Sequence, residues 1–108
     1  MMRIKVNDKV IVIAGNDKGV RGTVLRVIPK QNRIVVSGVN VVKKHQKPRP
    51  TGGRGQTQGG IIEFEAPIDA SNVMVLDPES DEPTRVGIRR DESGRRIRFA
   101  KKSGVDLD

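Results

Sequence analysis

The sequence predicts an all-β protein with one small closed or nearly closed barrel, and two observations lead to that expectation. The apolar residues are strongly skewed, because the 108 residues include 15 Val and 10 Ile but only 3 Leu. β-branched side chains favour half-buried pleated surfaces over helices. The apolar runs are also short and separated by turn-forming residues. Five or six short strands joined by tight turns are typical of small barrels.

Each predicted strand is short and is bounded by turn chemistry. The first strand is followed by "GNDKG", the second by "PKQN" and the third by "SG", and "PIDAS" precedes the last. Gly, Pro, Asn and Asp in such spacers reverse the chain direction. The predicted strands are residues 9–14, 23–28, 33–37, 39–45, 61–66 and 72–76. The candidates for the core within them are Val10, Val12, Val24, Ile34 and Val36.

The composition limits the classes of protein to consider. A chain of 108 residues suits one small domain with a modest core. It contains no cysteine, which rules out disulfides and thiolate metal sites and fits a reducing cytoplasm. The longest uncharged apolar run, residues 10–15, is too short to cross a membrane or to form a signal-peptide core. We therefore expect a soluble, cytoplasmic protein with no membrane partner.

The positive charge is concentrated in the first two-thirds of the chain. Residues 1–76 hold 13 Lys and Arg against 5 Asp and Glu, whereas residues 77–108 hold 8 of each. Ten basic residues occur between positions 18 and 62 without one acid, and such a field attracts a polyanion. The charge pattern therefore predicts nucleic-acid binding, with an ordinary solvated surface as the alternative.

The type of nucleic-acid recognition is constrained by the aromatic content. With two Phe, no Tyr and no Trp, the chain lacks the platforms on which many proteins stack unpaired bases. Contact with the backbone and shape of folded RNA or duplex DNA is expected instead. The segment "KHQKPRPTGGRGQTQGGI" at 44–61, with five glycines and four cations, suits close approach to a phosphate path. A solvated linker or hairpin tip is the alternative interpretation.

Catalytic motifs are absent from the sequence. The single histidine, His45, lies in "KKHQK", and no cysteine or neighbouring serine and acid complete a triad. The segment "GGRGQTQGG" matches neither the dinucleotide-binding pattern nor the P-loop. We expect no enzymatic activity and no cofactor.

Residues 10–48, "VIVIAGNDKGVRGTVLRVIPKQNRIVVSGVNVVKKHQKP", resemble the KOW motif. The element "AGNDKGVRGTVLRVI" is also shared with transcription elongation factors of the NusG type. Its continuation "GVNVVKKHQKP", the Gly-rich loop and "GGIIEFEAPIDASNVMVLDP" resemble a universal family of large-subunit ribosomal proteins, the twenty-fourth in the bacterial numbering. The resemblance covers essentially the whole chain.

The resemblance implies both a fold and a function. Members of that family have an SH3-like barrel that binds the 5′ region of large-subunit ribosomal RNA early in assembly, and a long hairpin loop that extends toward the nascent-chain exit. It implies a barrel over residues 1–76, with the basic Gly/Pro-rich loop at 46–60. The implied partners are ribosomal RNA, neighbouring ribosomal proteins, and the nascent chain or exit-site factors, with the protein a monomer within the ribosome.

The resemblance also implies which residues contact RNA. The turn "GNDKG" is expected to present Lys18, with Arg21 on the next strand, while Asp17 serves the turn and Gly22 marks a bend or close approach. Cations are expected to neutralise phosphates, and neighbouring polar groups to hydrogen-bond sugar or phosphate. The predicted RNA-binding residues are Asn16, Lys18, Gly19, Arg21, Lys43, Lys44, His45, Gln46, Lys47, Arg49 and Arg54.

Residues 77–108 depart from part of the family, in which two CxxC pairs form a zinc ribbon. By alignment on "PTRVG", those ligand positions fall on Asp77, Ser80, Ala100 and Ser103, with two residues inside each pair and nineteen between the pairs. This spacing is close to that of a structural zinc site, yet alanine cannot bind zinc and serine is a poor ligand. We interpret "TRVGIRRDESGRRIRFAKKSG" as part of a metal-free β-hairpin extension, with coincidental spacing as the alternative.

Two functions from other classes remain open. A fragment of a KOW-domain transcription elongation factor would share the barrel, although such factors carry an additional amino-terminal domain. A peptide-binding SH3 adapter needs an aromatic groove to hold a polyproline ligand, and two phenylalanines cannot supply one.

Overall fold

The computed structural model describes residues 3–46 and 60–108. These residues form ten strands and two short 3-10 turns, Pro29–Gln31 and Ala70–Asn72. The strands are β1 (Lys9–Val12), β2 (Arg21–Ile28), β3 (Arg33–Val36), β4 (Val41–Gln46), β5 (Gly60–Glu65), β6 (Ile68–Asp69), β7 (Val73–Leu76), β8 (Pro83–Thr84), β9 (Val86–Arg90) and β10 (Arg96–Ala100). Within the described ranges, no helix is long and apolar enough to cross a membrane.

Six strands form one antiparallel sheet in the order β6-β3-β2-β1-β7-β8. Two further ribbons, β4-β5 and β9-β10, each consist of a single antiparallel pair. The arrangement confirms the predicted all-β fold of the small SH3-like type with a β-hairpin near the carboxyl end.

The core consists of β-branched residues, most of which lie in the six-stranded sheet. All five predicted core residues are buried, and each fully buried Val or Ile contributes about 1.5–3 kcal/mol to stability. The same cluster also includes side chains that the sequence did not single out. They are Val39, Val73, Val75 and Val86.

The start of β4 is one of three strand bounds that differ from the prediction by two residues, together with the end of β1 and the start of β2. The strand was expected from residue 39, but it begins at Val41 because the backbone at Gly38 (φ 72) and Asn40 (φ 54) is left-handed. Val39, between them, is buried in the core instead of extending the ribbon. The turn "SG" is therefore longer than predicted.

Gly22 lies in β2 where another strand approaches closely, as predicted. A Cβ added at this position would lie 2.4 Å from the Ser37 carbonyl oxygen and 2.7 Å from a methyl of Val36. Only glycine fits such a contact without a shift of the backbone. Two residues further on, the pairing of β2 with β3 shifts register between Val24 and Arg26, which is the mark of a bulge.

The carboxyl-terminal segment forms the predicted hairpin from β9 and β10. One carboxylate oxygen of Asp91 accepts hydrogen bonds from the Ser93 and Arg95 N–H groups, at 2.9 Å each, and Gly94 has a left-handed φ of 86°. This turn chemistry fixes the hairpin register. The preceding strand β8 pairs with β7, and Val86 of β9 joins the core cluster, so residues on both sides of position 76 pack around one core.

Candidate nucleic-acid interface

The KOW turn connects β1 to β2 and presents a short exposed cationic segment. Gly15 and Gly19 have left-handed φ values of 94° and 92°, a conformation that favours glycine. The Gly19 N–H donates to the Val12 carbonyl at 2.8 Å. Gly19 has no side chain, and the space that a Cβ would occupy is open. Asn16, Lys18 and Gly19 are all exposed in this turn.

Asp17 does more than the turn role that the sequence predicted. One of its carboxylate oxygens accepts a 2.7 Å hydrogen bond from the backbone N–H of Asn40, just before β4. The Asn40 carbonyl in turn accepts from the Ala66 N–H at 3.0 Å, and its side-chain amide donates to the Ala66 and Pro67 carbonyls. The KOW turn is thus bonded directly to Asn40, just before β4, and through Asn40 it is connected to Ala66 and Pro67, just after β5.

Arg21, the first residue of β2, is exposed, but its guanidinium is already paired with a carboxylate of the same chain. Its guanidinium lies 2.5 Å from a carboxylate oxygen of Asp81, and both side chains are largely in solvent. Exposed pairs of this kind contribute about 0.2–1 kcal/mol, so a phosphate can displace the carboxylate. The sequence analysis placed Arg21 correctly on the strand but did not identify Asp81 as a carboxylate that competes with phosphate for its guanidinium.

The β4-β5 ribbon carries the next group of predicted residues. Lys43 and Lys44 are exposed, and the Lys43 ammonium lies 3.8 Å from a Glu63 carboxylate oxygen. His45 and Gln46 continue the strand, paired with Ile61 and Gly60. The remaining predicted residues, Lys47, Arg49 and Arg54, lie outside the described part of the chain.

Sequence reasoning missed the exposed apolar side chains of this ribbon. Val42, Ile62 and Phe64 lie on strands that, within residues 3–46 and 60–108, pair only with each other. The available signal was the high apolar content of residues 39–42 and 61–64 on either side of a basic loop. Such residues normally cover a core, so they were assigned to the barrel by default.

Three of the four positions with zinc-like spacing, Asp77, Ser80 and Ser103, meet at the carboxylate of Asp77. Its Oδ1 accepts hydrogen bonds from the Ser103 hydroxyl at 2.9 Å and from the Glu79 and Ser80 N–H groups at 2.8 Å and 3.3 Å. Ala100, at the remaining position, is fully buried. Among the residues that the structure describes, no three His, Cys, Asp or Glu side chains are grouped to hold a metal ion.

Asp77 is buried, and its Oδ1 accepts three hydrogen bonds that favour the charged carboxylate, whereas its Oδ2 has no hydrogen-bond partner among the described residues. Burial raises the pKa of the Asp77 carboxyl, but the hydrogen bonds from Ser103, Glu79 and Ser80 outweigh it and hold the pKa below its ordinary value. The hydrogen bonds of this carboxylate join the turn after β7 to the turn after β10.

Comparison with known proteins gives matches along nearly the whole chain. Residues 6–37 match the KOW motif, and residues 39–107 match the family described as large ribosomal subunit protein uL24, C-terminal domain. Proteins named large ribosomal subunit protein uL24 from Lactiplantibacillus plantarum and Bacillus mycoides are 61% and 57% identical over 107 residues. One from Bacillus thuringiensis is 56% identical, and each alignment covers 99% of both chains. The chain therefore belongs to the family of large ribosomal subunit protein uL24.

Proposed function

We propose that this protein is a structural constituent of the large ribosomal subunit and binds ribosomal RNA. The observation that carries the proposal is the connection between two segments that expose lysines, the KOW turn with Lys18 and the ribbon with Lys44, through the hydrogen bond from Asn40 to Asp17. Family membership supports the ribosomal assignment. The match of residues 39–107 also favours it over a KOW-domain transcription elongation factor.

The mechanism is charge neutralisation along an RNA backbone together with shape recognition. Lysine and arginine side chains bring positive charge to phosphates, while amide and imidazole groups hydrogen-bond sugar or phosphate oxygens. Gly19 leaves room for the RNA backbone to approach the turn. The residues assigned to contact RNA are Asn16, Lys18, Gly19, Arg21, Lys44, His45, Gln46, Lys47, Arg49 and Arg54. Lys43, which the sequence analysis grouped with them, is paired with Glu63 and adds only its charge to the surrounding field.

The family resemblance supports a proposed biological setting. The RNA is the 5′ region of the large-subunit ribosomal RNA, and the protein binds it early in assembly, in the cytoplasm, as one copy per subunit. Neighbouring ribosomal proteins are further partners. The loop at 46–60 lies near the nascent-chain exit, where the nascent chain or exit-site factors meet it.

RNA titration at several salt concentrations tests the proposal. The full-length protein is titrated with a transcript of the 5′ region of large-subunit ribosomal RNA, with an unrelated folded RNA of equal length as the control. Six phosphate contacts predict a log-log salt slope of about 4–5, since each contributes roughly 0.7–0.9. Equal affinity for both RNAs, or affinity that salt hardly changes, would contradict the proposal.

A charge variant tests the contribution of the loop. Replacing Lys47, Arg49 and Arg54 together with Gln removes up to three phosphate contacts and is expected to lower the salt slope by about 2–3. Co-sedimentation of the same variant with large subunits measures its incorporation. An unchanged slope would remove these three residues from the interface and leave the other contacts in place.

A further inference from the structure

The β4-β5 ribbon exposes more apolar surface than its role as a carrier of positive charge requires. Five large apolar side chains on it are between 38% and 58% exposed: Val41, Val42, Ile61, Ile62 and Phe64. An isolated two-stranded ribbon is only marginally stable in water, and contiguous exposed apolar surface marks an interaction site. The ribbon therefore has the features of a surface that binds a partner.

Strand register sorts the ribbon side chains onto two faces. Directly opposed residues of an antiparallel pair project to the same side, and successive residues alternate. The pairs Val42–Phe64 and Lys44–Ile62 therefore share one face, which we call the Phe64 face. The pairs Val41–Glu65 and Lys43–Glu63 lie on the opposite face, which we call the Glu63 face.

The two faces differ in charge. Among the four residues that define the Phe64 face, Lys44 is a cation and there is no acid. The Glu63 face has two acids: Glu63 lies 3.8 Å from the Lys43 ammonium, and Glu65 accepts a 3.2 Å hydrogen bond from the Gly38 N–H. A polyanion is attracted by the first face and repelled by the carboxylates of the second.

We propose that the Phe64 face docks against RNA, with Lys44 on a phosphate and Val42, Ile62 and Phe64 packed against ribose and base surfaces. The inference rests on the proposed function and specifies which side of the ribbon performs it. A wide, shallow RNA minor groove offers ribose and base edges to such a surface, with phosphates along its borders. A purely apolar protein partner would leave the Lys44 ammonium buried without a counter-charge, which is unfavourable.

The proposal assigns different roles to two neighbouring lysines. Lys44 contacts the RNA. Lys43 is paired with Glu63 on the Glu63 face and affects RNA binding only through the long-range electrostatic field of the protein. Phe64 supplies an aromatic surface for a base or ribose despite the low aromatic content of the chain. Stacking on an aromatic side chain changes affinity by about 5- to 100-fold when the ring is truncated.

Two matched pairs of variants test the assignment, because neighbouring positions on β4 have the same chemistry on opposite faces. The pairs are Lys44→Ala with Lys43→Ala, and Val42→Ala with Val41→Ala. Each is titrated in the full chain against the 5′ transcript of large-subunit ribosomal RNA, and thermal unfolding verifies that it is folded. Phe64→Leu and Phe64→Ala then separate loss of the ring from loss of apolar contact.

Variants on the Phe64 face are expected to bind RNA more weakly than the matched variants on the Glu63 face. Lys44→Ala should lower the salt slope by about 0.7–0.9, with little change for Lys43→Ala. Val42→Ala should weaken binding about fivefold, with less than a twofold effect for Val41→Ala. Phe64→Ala should weaken binding by about 10-fold or more, and Phe64→Leu by less.

Failure of the inference can be distinguished from failure of the proposed function. If the unmodified protein binds the ribosomal transcript but both members of each pair lose affinity equally, the face assignment is wrong and the proposed function stands. If Val42→Ala and Phe64→Ala bind RNA normally but fail to enter large subunits, the face docks against protein, which overturns the inference. If the unmodified protein does not bind the transcript, the proposed function itself fails.

Discussion

Arg98 and Asp8 lie ninety positions apart in the chain and share two hydrogen bonds, Nη1 to Oδ2 at 2.6 Å and Nη2 to Oδ1 at 3.0 Å. The Arg98 side chain is 6% exposed and also donates to the Asp108 carboxylate and the Arg3 carbonyl, each at 2.9 Å. The hydrogen bonds to Asp8 raise the pKa of Arg98 above its ordinary value despite its burial. The guanidinium is therefore a permanent charged connection between the hairpin and the start of the chain.

Replacement of Arg98 by Met should lower the free energy of unfolding by about 3 kcal/mol, because it leaves the Asp8 carboxylate in a mostly buried position without its counter-charge. Urea denaturation followed by circular dichroism measures the change. Arg96→Met is the control, since Arg96 lies on the same strand but is exposed, and its effect should be within about 0.5 kcal/mol. Equal effects of the two substitutions would show that the Arg98 contacts contribute no specific stability.

Asp77 should make stability depend on pH in the acid range. Its pKa is held below the ordinary value of 3.8, so the unfolded state binds more protons between the two values. The contribution is complete above the ordinary pKa and is lost as the pH falls through the lower folded value. We expect Asp77→Asn to reduce stability at pH 7 and to shrink the difference between pH 7 and pH 3.

The matched control for this pH dependence is Glu92→Gln, which makes the same charge change at the exposed hairpin tip. Thermal unfolding at both pH values is measured for the unmodified protein and the two variants. A pH difference in Asp77→Asn as large as that of the unmodified protein would exclude Asp77 as a source of the acid sensitivity.

The carboxyl-terminal hairpin should fold without metal. The hydrogen bond from the Ser103 hydroxyl to Asp77 connects two of the positions that have zinc-like spacing, and one carboxylate with hydroxyls poorly matches structural zinc. A chelator should leave the thermal midpoint unchanged, whereas Ser103→Ala should lower it by about 4–8 °C for a loss near 1 kcal/mol. Stoichiometric zinc in protein purified without added metal would contradict this expectation.

Asp81→Asn should strengthen RNA binding by releasing Arg21 from its carboxylate partner at 2.5 Å. Asp81 has a left-handed φ of 56°, which asparagine adopts readily, so the substitution should leave the fold intact. The exposed pair contributes about 0.2–1 kcal/mol, which corresponds to an increase in affinity of up to about fivefold. The test is RNA titration of Asp81→Asn and of the double variant Asp81→Asn with Arg21→Gln. The double variant should lose the gain in affinity, because it lacks the released guanidinium. If Asp81→Asn has the same affinity as the unmodified protein, Arg21 does not contact RNA.

The core could be predicted because its determinants are local. Val10, Val24 and Ile34 lie in short β-branched runs bounded by turn residues, and burial follows from that pattern. The delayed start of β4 could not be predicted, since it depends on the left-handed backbone at Asn40 and on its hydrogen bond to Asp17 from another turn. Periodicity carries no information about a contact of this kind.

The candidate site was predictable only as a list of cations. Positive charge is visible in the sequence, but its internal neutralisation is not: Asp81 reaches Arg21 across sixty positions, and Glu63 meets Lys43 only through strand register. Positions 77 and 103, two of the four with zinc-like spacing, are joined by a hydrogen bond that the sequence analysis did not predict.

The Asp17–Asn40 hydrogen bond anchors the base of the β4-β5 ribbon to the KOW turn. Its support consists of the Asp17 carboxylate on one side and the Ala66 and Pro67 carbonyls on the other, all held by Asn40. These hydrogen bonds therefore restrict the orientation of the base of the ribbon relative to the KOW turn. Binding of RNA to either Lys18 or the Phe64 face would therefore also restrict the orientation of the other relative to the RNA.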